Sequence, residues 1–190
     1  MTAPPPRQFS GLVIRGHKKQ LERMGLLEAV TEKASPELRA ALERPPLSLA
    51  KINAQVSDEL TALVAQLRGD EAAREMNYGT TRDTAGPMLV PMLQSLLAMF
   101  GRSPHTLFGH LGTIGATMAK NVVFTYEQKG PTNGAIRLSH DEPGNRGWFL
   151  AWEGVFRFAF DLCSVEGEVW PHEAEPDNRA ALYRVRWDPK

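Results

Sequence analysis

The side chains of this chain best suited to chemistry are five histidines, His17, His105, His110, His140 and His172, and one cysteine, Cys163. A metal site needs such groups to converge. His105 and His110 lie five residues apart, which takes them off a common helical face. Paired helical ligands of the H-E-x-x-H kind lie four apart. No cysteine lies near them, so neither a metal site nor a cofactor is expected. Nucleophilic catalysis needs an activated Ser or Cys, and the chain has no G-x-S-x-G elbow. Cys163 falls among apolar positions, where a thiol behaves as an inert small hydrophobe. Gly109, Gly112 and Gly115 suggest a phosphate cradle only superficially. Such a loop needs a strand before it, and these glycines sit inside a helical pattern, where small residues serve close packing. No carboxylate pair with acid/base spacing is present, so no catalytic residue is assigned and no enzyme is expected.

A ligand pocket is the remaining chemistry. Met88, Met92, Ser95 and Met99 fall near one another on one helical pattern, and Trp148, Trp152 and Phe156 lie four apart on another. Thioethers and large rings line adaptable apolar cavities, and they also fill ordinary cores. Met88, Met92, Met99, Trp148, Trp152 and Phe156 are therefore the candidate lining of a pocket for a small hydrophobic ligand.

The elements that would position these residues follow from periodicity. Residues 147–165, GWFLAWEGVFRFAFDLCSV, read as one helix. Trp148, Trp152, Val155, Phe156, Ala159, Leu162 and Cys163 share an apolar arc, and Glu153, Arg157 and Asp161 lie opposite as exposed ion-pair partners. On that reading Trp152→Ala is costly and Glu153→Ala is nearly silent. The helix is flanked by alternating runs. Val122, Phe124 and Tyr126 alternate with Val123, Thr125 and Glu127, Ile136, Leu138 and His140 alternate with Ala135, Arg137 and Ser139, and GPTNG joins the two runs as a hairpin. Residues 166–173 and 182–187 form a second strand pair. The C-terminal order is strand, strand, helix, strand, strand.

The N-terminal half reads as helices broken by glycine and proline. A short strand is expected over 9–14, broken by Gly16, then a helix over 17–33 that Gly25 can split. Ser35-Pro36 starts a short helix. An amphipathic helix over 53–68 ends at Gly69, and another follows with Asp70 as its N-cap. Gly86-Pro87 marks a boundary. Residues 88–100 form a helix with Pro91 in its first turn, and Ser103-Pro104 starts one more, running to about 120.

Composition bounds the rest. The chain has 190 residues, 42% hydrophobic, with 22 basic and 22 acidic side chains. That suits one domain, 9–190, behind a proline-rich disordered tail, 1–8. A neutral chain has no long-range pull on phosphate backbones, so no nucleic-acid partner is expected. Arg15, His17, Lys18, Lys19 and Arg23 read as the solvated face of a helix. One cysteine excludes an internal disulfide. The most apolar run, 88–100, is too short to span a bilayer, and no apolar leader opens the chain. It reads as cytoplasmic, without a membrane partner.

The segments FSGLVIRGHKKQLERMG, SPHTLFGHLG, VVFTYEQKG and GWFLAWEGVFRFAFDLCSV together resemble a myxobacterial paralogous family of unknown function (domain of unknown function 2378). The layout is also similar to a wider fold group. It contains the haem nitric-oxide/oxygen-binding sensors, the vinyl-4-reductase ligand-sensing domains and the TRAPP vesicle-tethering subunits. That resemblance implies helices packed on a small antiparallel sheet interrupted by a helix, in a sensor-like or adaptor-like scaffold. The haem sensors use a helical histidine and a Y-x-S-x-R motif. Here His110 lies on a helix in the corresponding region, but Tyr126 is followed by Glu127, Gln128 and Lys129, so the motif is absent. One cysteine cannot supply the zinc ligands of some vinyl-4-reductase domains.

The expected fold is thus α+β: a helical N-terminal half on a C-terminal four- or five-stranded antiparallel sheet with an inserted aromatic helix. The expected function is a non-enzymatic cytoplasmic regulatory domain that holds a small hydrophobic ligand. The alternative is a homodimeric protein-interaction adaptor with a filled core.

Overall fold

The computed structural model describes residues 5–189, without the side chains of residues 85–88. The chain opens with β1 (Gln8–Ser10) and turns directly into helix α1 (Gly11–Arg23). The expected strand over 9–14 is therefore cut short. Ser10 caps the helix by accepting from the Leu12 amide, which starts the helix three residues after β1 begins. Gly16 does not break it. A Cβ there would meet Thr80 Cγ2 at 2.6 Å, so this glycine lets α1 approach a neighbouring helix closely. Gly25, at φ 65°, does end the helical run, and α2 (Leu27–Lys33) follows. Ser35 caps α3 (Pro36–Glu43).

After β2 (Lys51–Asn53), Asn53 caps α4 (Ala54–Arg68), and Gly69 closes it at φ 86°. In α5 (Asp70–Thr80) the cap position is Gly69, without a side-chain bond. Asp70 sits in the first turn instead, where its charge complements the helix N-terminus. A π-helical turn, Thr81–Ala85, links α5 to α6 (Gly86–Phe100), and Pro91 lies inside α6 rather than in its first turn. The helix expected from Ser103 to about 120 is two: α7 (Pro104–Gly109) and α8 (Leu111–Met118), joined at His110. Strand β3 (Ala119–Lys120) then joins β1 and β2 in a small antiparallel sheet, order β2-β1-β3.

The main sheet has the expected plan. Strands β4 (Val123–Gly130) and β5 (Asn133–Ser139) form the hairpin, with Phe124 opposite Leu138 and Tyr126 opposite Ile136. Helix α9 (Arg146–Cys163) follows, then β6 (Gly167–Val169), β7 (Glu173–Ala174) and β8 (Ala180–Trp187). The order is β4-β5-β8-β6, with β7 also pairing with β8, and every pair is antiparallel. The chain is α+β, with its five-stranded sheet in the C-terminal half. No helix among the described residues is long and apolar enough to cross a membrane.

Helix α9 is the axis of the molecule. Trp148, Trp152, Phe156 and Phe160 pack on the sheet with Ile136, Leu138, Tyr183 and Trp187. Leu150 joins the core formed by α1 to α5, and Phe158 and Cys163 join Leu89, Leu93 and Leu97 of α6. A helix contacted on three sides has little polar face left. Glu153 is accordingly 0% exposed, which corrects the expected surface role. Its carboxylate pairs with Arg74, and its Oε1 accepts from the His172 amide at 2.8 Å and from His172 Nδ1 at 2.7 Å. Burial pushes that carboxyl upward, and the bonds from His172 and Arg74 outweigh burial, so it lies below the usual carboxylate range. Arg157 pairs not with its own helix but with Glu71 and Glu75 of α5, and Asp161 accepts from Tyr78.

Residues 5–8 of the expected tail also take part in the fold, while 1–4 lie outside the described residues. Arg7 is 1% exposed, 2.9 Å from Asp58 of α4, with its guanidinium 4.2 Å from the centroid of Trp148.

Candidate functional site

A partly enclosed cavity of about 100 Å³ lies where α1, α5, the π turn, α6, α8 and α9 meet. Its walls are mostly apolar: Phe9, Val13, Leu89, Leu111, Ile114, Met118, Trp152 and Val155. A second lobe of about 70 Å³ shares Thr81, Leu89, Leu111, Ile114 and Val155 with it and reaches Phe156, Phe158 and Leu162.

Local sequence explains the walls. Gly115 of α8 would place a Cβ 2.5 Å from the Phe124 ring, so α8 lies flat on β4 and turns Ile114 and Met118 inward. The π turn adds a residue to the helical path at Thr81, and its hydroxyl bonds the Asn77 carbonyl at 2.9 Å. Such single-turn π segments often border functional sites. The turn is pinned to α1 through Asp83, which pairs with Arg23 and Arg82 and accepts from Gln20 Nε2.

Polar residues lie behind one wall of the cavity, with their polar atoms buried. His17 is 0% exposed, not part of a solvated basic face. The signal was present in the sequence: Ile14, His17 and Leu21 share one helical stripe, and all three are buried. His17 Nε2 lies 3.0 Å from Asn77 Oδ1, and Asn77 Nδ2 donates to the Ala73 carbonyl at 2.8 Å and to Thr61 at 3.3 Å. With the Asn77 amide so oriented, Nε2 must carry the proton, and Nδ1 presents a lone pair. Burial pulls the imidazole down to about 4, against the Asn77 bond, so the ring is neutral at neutral pH. His17 Nδ1, Thr80 Oγ1 and Trp152 Nε1 belong to cavity-lining residues, are buried, and have no hydrogen-bond partner among the described residues.

The six expected pocket residues divide. Trp152 lines the cavity and Phe156 the second lobe. Trp148 packs instead on Phe9 and Arg7, with its ring 5.4 Å from Phe9. Met92 flanks the core formed by α6, Met99 is 74% exposed, and the Met88 side chain lies outside the described residues. Leu89, Leu93 and Leu97 carry the buried stripe of α6, Leu89 and Leu93 each one position past a methionine. Of the other histidines, His110 turns its Nδ1 to the Thr106 carbonyl at 2.7 Å, beside Phe100. His105 Nε2–H donates to the Pro131 carbonyl, so its Nδ1 accepts from the Tyr126 hydroxyl at 2.5 Å. Burial pushes that phenol up to about 12. No three His, Cys, Asp or Glu side chains converge among the described residues. Cys163 is buried in the core beside α6.

No family model matches the chain, and no curated protein matches it. Solved structures do. An H-NOX protein from K. algicida, in its Fe(II) unliganded form, superposes with a TM-score of 0.68 at 12% identity over 95% of this chain and 97% of that one. An oxygen-binding H-NOX domain related to soluble guanylate cyclases, as its oxygen complex, superposes with a TM-score of 0.60 at 12% identity over 95% of each. The chain therefore has the fold of the H-NOX domains, the haem sensors of the wider group named above.

Haem does not fit this site. The cavity of about 100 Å³ is well below the roughly 300–1,000 Å³ of ordinary ligand pockets. The histidine in the region of the haem ligand, His110, is not among its lining residues and is bonded to its own helix. Tyr126, the one remnant of the missing motif, is held by His105.

Proposed function

We propose that this chain is a haem-independent sensor domain: a cytoplasmic, non-enzymatic regulatory module that takes a small, largely hydrophobic molecule into the cavity beside α9. The observation that carries this reading is the cavity itself, partly enclosed and lined almost wholly by apolar surface. His17 is the only titratable side chain lining it among the described residues, and one neutral imidazole is a binding group rather than catalytic machinery. The fold shared with H-NOX proteins supports a sensor. The adaptor alternative called for a filled core, and the cavity speaks against it. Helix α9 is the element positioned to transmit occupancy, because it touches the cavity through Trp152 and Val155 and the sheet through Phe156 and Phe160.

The test is reconstitution. Incubation with hemin followed by desalting is expected to leave no Soret band. Native mass spectrometry of protein purified from its own host is expected to show a small adduct instead. A stoichiometric Soret band would overturn the reading.

A further inference from the structure

Charge is spread unevenly along this chain. Between Asp83 and Lys120 there is one formally charged side chain, Arg102, where the overall 23% would give about eight. That segment forms α6, α7 and α8. A surface helix ordinarily carries charged residues on its outer face, and the solvent-facing positions of α6 and α8 carry none among the described residues. At the end of α6, Met99 is 74% and Phe100 58% exposed. The Phe100 ring lies 5.1 Å from that of His110, the residue joining α7 to α8. The exposed end of α6 thus adjoins the α7–α8 corner. Two exposed glycines flank that corner. A Cβ at Gly115 would strike the Phe124 ring, but at Gly109 or Gly112 it would meet open space, and neither sits at positive φ. Glycine weakens a helix relative to alanine, and no contact within the chain calls for it at either position.

We propose that this charge-free face, the end of α6 with the α7–α8 corner, is where a second copy of the chain docks. Interface cores are depleted of charge and enriched in Met and aromatic residues, which is the composition seen here. A membrane surface would call for a cluster of basic residues, and the segment supplies Arg102 alone. A charged protein partner would find nothing to pair with. A second copy matches in charge and in shape. Each copy has 22 basic and 22 acidic side chains, so two copies are not held apart by net charge. An isologous contact also needs protrusions and hollows on one patch. Met99 and Phe100 are the protrusions, and Gly109 and Gly112 are the hollows into which the second copy packs. This assignment is independent of what the cavity beside α9 holds.

Analytical ultracentrifugation of the whole chain, from about 1 μM to about 100 μM, tests this. The mass is expected to rise with concentration toward twice that of the monomer. Gly112→Glu places bulk and charge in the hollow. Within one chain it is harmless, because its Cβ has open space and a carboxylate suits the first turn of α8. It should weaken association at least about tenfold while leaving the thermal midpoint of the monomer undiminished. Met99→Glu should act in the same direction. Leu49→Glu, at an 81% exposed apolar position outside this face, should leave the dimer intact. A chain that stays monomeric at every concentration overturns the inference. So does a dimer that survives both Gly112→Glu and Met99→Glu. Monomeric chain that floats with vesicles of neutral and anionic phospholipid, and loses that binding in Met99→Glu, also overturns it and gives the face to lipid.

Discussion

Glu153 shows how far one residue can depart from its helical phase. Its i+4 spacing to Arg157 fits a surface ion pair, yet it is fully buried between Arg74 and His172. Removing one partner of a buried pair leaves the others uncompensated, at about 3–5 kcal/mol. Glu153→Ala is therefore expected to destabilise about as much as Trp152→Ala, a buried aromatic truncation also worth about 3–5 kcal/mol. Urea denaturation midpoints compare the two. A Glu153→Ala midpoint close to wild type would return this residue to the surface. His17 makes a second prediction at this scale. Its folded-state value is lowered to about 4 from 6.5, so the unfolded chain takes up a proton that the native chain refuses. The stability due to neutral His17 is thus complete above pH 6.5 and is lost as pH falls toward 4. Between about pH 7.5 and pH 5 the wild type should lose about 2 kcal/mol more than His17→Gln, by linkage. Taking the difference between the two proteins cancels the other titrating groups, including Asp58. Burial lifts that carboxyl to about 7 against Arg7, and it acts with the opposite sign. Parallel pH profiles for the two proteins would contradict a buried neutral His17.

At the scale of elements, α9 was legible as a helix and as the organiser of the sheet, but not as a helix buried on three sides. Periodicity reports the strongest apolar arc. It does not report a neighbour that packs through backbone, because glycine carries no apolar signal. Gly147 and Gly154 are those places: a Cβ would meet the Asp58 carbonyl oxygen at 2.1 Å and the Arg74 carbonyl oxygen at 2.3 Å. These contacts bring α4 and α5 against α9 and so bury Glu153. Gly154→Ala is expected to cost about 1–3 kcal/mol by overpacking, seen as a lower thermal midpoint. An unchanged or raised midpoint would mean that α5 does not touch α9 there. The hairpin β4–β5 and the capped helices α3 and α4 were readable because turn residues and caps act locally. The three-stranded β2-β1-β3 sheet was not, since its strands are two or three residues long and paired across distant segments. The π turn was hidden for a similar reason. Gly86-Pro87 marked only a boundary there, and the turn is met by Gln20 of α1.

For the whole molecule, the α+β plan was readable because both periodicities occur in long runs and in a distinctive order. The candidate site was only partly readable. Trp152 and Phe156 were in view, and His17 was marked only by its place on the stripe of Ile14 and Leu21; Asn77 and Thr80 were not, because a polar residue at a buried position looks in sequence like one at the surface. A cavity is also a property of what several elements leave unfilled, and no single stretch encodes it. The fold is that of the H-NOX domains, while the chamber left between its helices is only about 100 Å³. Crystallography under xenon pressure addresses that claim most directly, since xenon enters apolar cavities of roughly this size. One xenon site is predicted among Val13, Leu89, Ile114, Trp152 and Val155, with α9 unmoved. Absence of xenon from that chamber, with side chains closed across it, would contradict the account.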